Sequence, residues 1–288
     1  MATRSPHSET EFRASTDGGE LVGWLRDGPA DAPPALLMHG GPGLSDYLEP
    51  LADELDGLFR IARYQQRGIA PSLTSGERDV ARHVEDAAAV LDALGWDRAM
   101  IIGHSWGGHL AMHFAVSKPE RLASVVSIDP LGAVDDGGLA AFVETLESQV
   151  PADSRERYQE LEALESPTDA ERDESFRMVW PYYFAKPEQA PPFPSFRYDK
   201  SSAQTWESIK AHLDDKTLER ELPNVTAPFL LIHGEESPLP ISEAARTVAL
   251  MPNARLVAVP DCGHWPSLEK PGFVRDAISR FLAEPVNG

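Results

Sequence analysis

Five consecutive residues, Gly103-His104-Ser105-Trp106-Gly107, set a serine between two glycines in the pattern G-x-S-x-G. A serine hydroxyl attacks a carbonyl only when a neighbouring base takes its proton. Among nine histidines, His264 stands out, in the late segment Asp261-Cys262-Gly263-His264-Trp265-Pro266. Serine early and histidine near the end is the order expected when the serine sits on a strand-to-helix turn. The tetrahedral oxyanion formed by such an attack needs two backbone N–H donors. Trp106, just after the serine, is the first expected donor. Gly41, in His39-Gly40-Gly41-Pro42-Gly43, is the second, because glycine permits close approach to substrate. His39, His104 and His233 fall at the ends of predicted strands and are expected to shape the site rather than act as base. No histidine pair has metal-ligand spacing, so no metal and no cofactor is expected. Cys262, the single cysteine, is read as a small apolar filler.

These residues need elements to hold them. Arg98-Ala99-Met100-Ile101-Ile102 reads as a buried strand before the serine, and Gly108 to Lys118 as a helix after it. Further strands are predicted at Glu11–Ala14, Leu21–Trp24, Ala35–His39, Phe59–Tyr64, Val125–Asp129, Phe229–His233 and Arg255–Val259. Helices are predicted over residues 78–94, with Val80, Val84, Ala87, Ala88, Leu91 and Leu94 on one face, and from Phe273 to Leu282. Strands alternating with helices imply an α/β fold with a mostly parallel sheet covered on both faces. The alternation stops between residues 133 and 222, which contain no convincing strand. Two units follow: a core from 1–132 and 223–288, and a helical cap inserted at 133–222. The cap carries Trp180-Pro181-Tyr182-Tyr183-Phe184, which either forms the cap's own core or lines a substrate pocket. Trp180 and Tyr183, with His39 and Trp265, are the candidate substrate contacts.

Composition narrows the classes of partner. The 288 residues carry a formal charge of −20, which disfavours nucleic acid, bound through surplus lysine and arginine. Acidic residues concentrate between 135 and 175, a pattern typical of a solvated helical surface. No apolar run approaches the ~20 residues of a membrane span, and the N-terminus lacks the apolar stretch of a signal peptide. A lone cysteine fits a reducing, cytoplasmic setting. The expected partner is a small molecule; the oligomeric state is left open.

Three segments together resemble a known family. His39-Gly40-Gly41-Pro42-Gly43, Gln66-Arg67-Gly68 with Ser72, and Gly103-His104-Ser105-Trp106-Gly107-Gly108 look like the prolyl iminopeptidase branch of the α/β-hydrolases. The resemblance covers about 11–132 and 223–285. It implies an eight-stranded sheet, a helical cap and hydrolysis through an acyl-enzyme, with Ser105, His264, Trp106 and Gly41 in the motif positions. Two positions depart from the family pattern. The acid after the seventh strand is replaced in His233-Gly234-Glu235-Glu236-Ser237-Pro238, where Ser237 stands in its place. Some members take the acid from the end of the sixth strand, which makes Asp129 the leading choice and Glu235 or Glu236 the alternatives. The Trp-Glu pair that receives a substrate amine is matched here by Trp180-Pro181, without the carboxylate. The expected activity is therefore hydrolysis of an ester, lactone, thioester or amide of a small, largely apolar molecule. An iminopeptidase-like aminopeptidase is the runner-up, and a non-catalytic ligand-binding relative the third reading.

Overall fold

The strands owe their places to apolar side chains that alternate between two covered faces. The structure is a computed structural model, and it describes residues 9–284. Eight strands form one sheet: β1 (Thr10–Thr16), β2 (Gly19–Arg26), β3 (Pro34–Met38), β4 (Arg60–Tyr64), β5 (Ala99–His104), β6 (Leu122–Ile128), β7 (Phe229–Gly234) and β8 (Ala254–Val259). Their order is β1-β2-β4-β3-β5-β6-β7-β8, with β1 and β2 antiparallel to each other, β2 antiparallel to β4, and the remaining pairs parallel.

Alternate residues of one strand serve different layers, as a period of two requires. Leu36, Met38, Ile101 and Leu231 face one layer, packed with α2 (Val80–Ala93) and α3 (Trp106–Ser117). Ala35, Leu37, Ile102 and Ile232 face the other, packed against Leu51 on α1 (Glu49–Glu54) and Ile278 on the closing helix Phe273–Ala283. Helix α2 begins at Asp79, whose carboxylate accepts the Arg82 N–H at 2.7 Å, a side-chain cap. All eight predicted strands are present. The strand before Ser105 runs on to His104, and the helix after it starts at Trp106 rather than Gly108.

The parallel strands all end at one edge. There the chain leaves β3 at His39, β5 at Ser105, β6 at Asp129 and β8 shortly before His264. Residues 100 or more apart in sequence are thereby brought to a single crevice, where open α/β sheets place their ligands.

Between β6 and β7 the chain is helical: α4 (Leu139–Gln149), α5 (Arg155–Glu162), α6 (Asp169–Val179), α7 (Ser202–Asp214) and α8 (Thr217–Glu221). Packing divides this insertion. Leu146, Val150, Tyr158 and Val179 make a small cluster of their own. Ile209 and Leu213 of α7, Leu218 of α8, and Leu222 instead join the main core beside α2 and α3. Among the described residues no helix is long and apolar enough to cross a membrane.

Candidate active site

Ser105 sits at the apex of the turn between β5 and α3 with φ +56° and ψ −123°, a conformation that few non-glycine residues hold. The turn is held from both sides. Ser105 N–H continues the sheet ladder to Ile128 C=O at 2.9 Å, and Ser105 C=O accepts from Gly108 and His109 to open the helix. The two flanking glycines are needed for space. A Cβ at Gly103 would lie 2.0 Å from Gly107 O, and one at Gly107 would lie 2.0 Å from Met38 O.

His264 follows β8, with its ring 2 % exposed. Its Nδ1 is 2.7 Å from Asp129 Oδ1. Asp129 is fully buried at the end of β6, with φ +45°. Its Oδ2 accepts Gly234 N–H at 2.8 Å and its Oδ1 accepts the Ser237 hydroxyl at 2.6 Å. Burial by itself would raise the carboxyl pKa. The charges of His233 and His264, and hydrogen bonds from His264 and Ser237, outweigh it and hold the group down at about 2. Ser237, in the place of a family acid, thus donates to the acid that is present. Glu235 and Glu236 are both exposed, their backbone N–H groups bonded to Val259 O and Cys262 O. Of the three candidate carboxylates, Asp129 is the one brought against His264.

The turn carrying Gly41 is braced by His39. His39 is fully buried, and burial depresses its pKa, so the ring is neutral. Its Nε2 accepts the Gln66 N–H at 3.1 Å, so Nδ1 carries the hydrogen and donates to Gly40 O at 2.9 Å. The Gly40 carbonyl and the Gly41 N–H belong to one trans peptide, so the N–H points away from His39. Gln66 also donates to His39 O at 2.7 Å and accepts the Trp106 indole N–H at 3.0 Å. Arg67, next in the same motif, pairs with buried Asp86 through Nε and Nη2, both at 2.7 Å. Its role is architectural.

Ser105, His264, Gly41 and Trp106 line one cavity of about 490 Å³, roofed by α4 and α6 of the insertion. Tyr183 and Trp265 are on its wall; His39 and Trp180 are not. These last two need correction as substrate contacts. His39 is consumed in bracing its own turn. Trp180 is 3 % exposed, donates its indole N–H to Pro191 O at 2.7 Å, and packs edge-on to Phe184 and Trp265. Cys262 is fully buried, and desolvation pushes its thiol well above the usual range, which keeps it protonated.

Several residues in or beside the site escaped the sequence reading. Glu269 accepts the Gly263 N–H at 2.8 Å and the Ala185 N–H at 2.9 Å, tying the His264 loop to the insertion. Among the described residues, Arg172 is the one lysine or arginine on the cavity wall, and its buried Nε has no hydrogen-bond partner. Tyr47 touches both the Gly40 turn and His104. Nothing in residue type or periodicity distinguishes these three from ordinary surface and core positions.

Comparison with known proteins agrees with this geometry. The family model described as alpha/beta hydrolase fold matches residues 33–271. The 2-hydroxymuconate semialdehyde hydrolase of Pseudomonas putida is 31% identical over 266 residues, covering 87% of each chain. The 2-(acetamidomethylene)succinate hydrolase of Mesorhizobium japonicum is 27% identical over 262 residues, covering 87% of this chain and 88% of the relative. A hydrolase from Pseudomonas aeruginosa superposes with a TM-score of 0.72 at 24% identity, over 95% of this chain and 98% of that one. The chain belongs to the α/β-hydrolase family and is a hydrolase.

Proposed function

We propose that the protein cleaves an ester, lactone, thioester or amide of a small, largely apolar substrate through an acyl-enzyme on Ser105. The observation that carries this reading is the buried Asp129–His264 hydrogen bond, at 2.7 Å, with His264 lining the same cavity as Ser105. Ser105 Oγ attacks the carbonyl carbon while His264 Nε2 takes its proton. Asp129 keeps the hydrogen on Nδ1 and stabilises the imidazolium. The Trp106 and Gly41 N–H groups hold the oxyanion. Collapse expels the leaving group, protonated by His264. Water, deprotonated by the same ring, then attacks the acyl carbon and frees Ser105. The helical cap over the cavity sets the size of the acyl or leaving group.

Substrate charge separates two finer readings. An iminopeptidase-like aminopeptidase must pair a desolvated ammonium with a carboxylate. Glu147, Glu162, Glu165 and Glu171 lie on the cavity wall, but the first three are exposed and Glu171 is committed to the Thr168 capping box. Arg172, unpaired at Nε, favours a substrate that bears a carboxylate instead. The P. putida and M. japonicum relatives are named for molecules of that kind.

A fluorophosphonate probe and a panel of matched anionic, neutral and cationic p-nitrophenyl esters test both levels. The expected outcome is covalent labelling at Ser105, loss of labelling and turnover in Ser105→Ala, and preference for the anionic ester. Absence of labelling in folded protein would establish the ligand-binding reading in place of catalysis. A strong preference for a free amine, including on aminoacyl β-naphthylamides, would restore the aminopeptidase.

A further inference from the structure

Tyr47 reaches from the loop after β3 to two parts of the site at once. Its hydroxyl oxygen accepts the Gly40 N–H at 2.8 Å and lies 2.7 Å from His104 Nδ1. On the other side of that ring, His104 Nε2 lies 2.8 Å from the backbone carbonyl of His264. The direction of every hydrogen follows from chemistry. Burial, with the charge of His264, depresses the His104 pKa to about 3, so the ring is neutral with a single N–H. A carbonyl oxygen can only accept, so that N–H is on Nε2. Nδ1 is then an acceptor, and the Tyr47 O–H donates to it. The chain of donors runs Gly40 N–H to Tyr47, Tyr47 O–H to His104, and His104 Nε2–H to the His264 carbonyl.

We propose that Tyr47 and His104 are positioning residues that lock the Gly41 turn to the His264 loop through this relay. The proposal rests on the acyl-enzyme reading above and adds what sets its geometry. Gly40 is where the relay meets the nucleophile. A Cβ there would lie 2.2 Å from Tyr47 Oη and 2.9 Å from Ser105 Cβ, so Tyr47, Gly40 and Ser105 are packed side by side. With its N–H held by Tyr47 and its C=O by His39, Gly40 has both polar groups fixed. The following N–H, that of Gly41, inherits its direction from them. At the other end, the His264 backbone is gripped through its carbonyl by His104 and through its N–H by Tyr183 O at 2.7 Å. The relay also explains why the residue before the serine is a histidine. A ring with an acceptor on one edge and a donor on the other spans two loops that have no direct hydrogen bond at this point.

Tyr47→Phe removes one oxygen and keeps the ring, which packs on Trp265 at 4.8 Å between centroids. Losing an oxyanion donor outright costs about 10²–10³ in kcat, so a donor displaced but present is expected to cost about 10- to 100-fold. KM is expected to stay within about threefold, because the Tyr47 hydroxyl is engaged by Gly40 and His104 and the ring that borders the cavity is kept. Fluorophosphonate labelling of Ser105, which passes through the same oxyanion site, should slow in step with kcat. His104→Phe cuts the relay at its centre, and the double variant should be no slower than the worse single one. A kcat for Tyr47→Phe within twofold of wild type, or a double variant whose losses multiply, would overturn the proposal. If His104→Phe does not fold, the Tyr47→Phe kinetics and labelling rate decide alone. Ser105→Ala separates the two levels: an active Ser105→Ala removes the acyl-enzyme reading itself, while an inactive one beside a fully active Tyr47→Phe removes only the relay.

Discussion

At the scale of single residues, Asp129 holds a negative charge in a place closed to water. A carboxylate there is tolerable because three hydrogen-bond donors, His264, Gly234 and Ser237, converge on its two oxygens. Replacing it by asparagine keeps the volume but leaves the imidazolium without a counter-charge and offers the wrong partner to Nδ1. Ester hydrolysis by Asp129→Asn is expected to fall by about 10⁴ in kcat. Glu235→Gln and Glu236→Gln, at exposed positions, should remain within twofold. An Asp129→Asn variant within a few-fold of wild type would transfer the acid role elsewhere. Much of this was legible beforehand because chemistry fixes residue type and the fold fixes chain order. Ser105 and His264 could be named as candidates from those two constraints, whereas Asp129 needed the family resemblance, with Glu235 and Glu236 as alternatives, until the structure set it 2.7 Å from His264. Ser237 was legible only as a departure; its hydroxyl donating to the acid required the β7 loop to fold back on β6. Tyr47 and Arg172 were not legible, since a tyrosine in a loop and an arginine on an acidic helix carry no signature until neighbours are placed.

Among elements, the eight strands were readable from apolar runs, whereas the strap joining insertion to core was not. Residues 197–199 lie alongside 43–45, next to the turn that bears Gly41. Leu44 bridges Tyr198, Ser45 N–H donates to Arg197 O at 2.9 Å, and Asp199 N–H donates to Gly43 O at 2.9 Å. Three residues pairing with three others 150 positions away leave no periodicity to detect. The strap is clamped by Asp199, whose carboxylate accepts from Arg78 Nε at 2.6 Å with both side chains largely buried. Asp199→Ala strands the Arg78 charge, and breaking a buried pair in this way costs about 3 kcal/mol of stability. Urea unfolding followed by tryptophan fluorescence should show that loss. Glu174→Ala, which removes an exposed partner of Arg157, should leave the midpoint unchanged. Equal midpoints for Asp199→Ala and wild type would mean that the strap is held by its backbone bonds alone.

For the molecule as a whole, two features of charge pull against each other on acidification. The chain carries a formal charge of −20 at pH 7, so mild acid relieves self-repulsion and favours the compact state. Its buried histidines act in the opposite direction. Desolvation lowers His83 and His104 to about 3 and His109 to about 4, and puts His113 well below the ordinary 6.5. Below pH 6.5 the unfolded chain takes up protons at these positions and the native chain does not. Stability must therefore fall with pH from about 6.5 down toward the folded values, by up to ~1.4 kcal/mol per unit for each such histidine. With His39, whose pKa burial also lowers, five groups act together and are expected to outweigh the relief of surface repulsion, which is screened by salt. The His109, His113 and His212 rings lie in a row where α3 meets α7, edge-on and then tilted, with centroids 5.0 and 4.8 Å apart. Acid therefore loosens the seam between insertion and core. Urea midpoints measured from pH 7 to pH 5 should fall steadily. His113→Met fills the same space without a titrating group, and the orphaned His113 Nε2 gives up no hydrogen bond in the exchange. It should flatten the pH dependence by about one histidine's share, ~1.4 kcal/mol per pH unit. A midpoint that rises on acidification, or a slope unchanged in His113→Met, would show that these histidines are not held neutral by the fold.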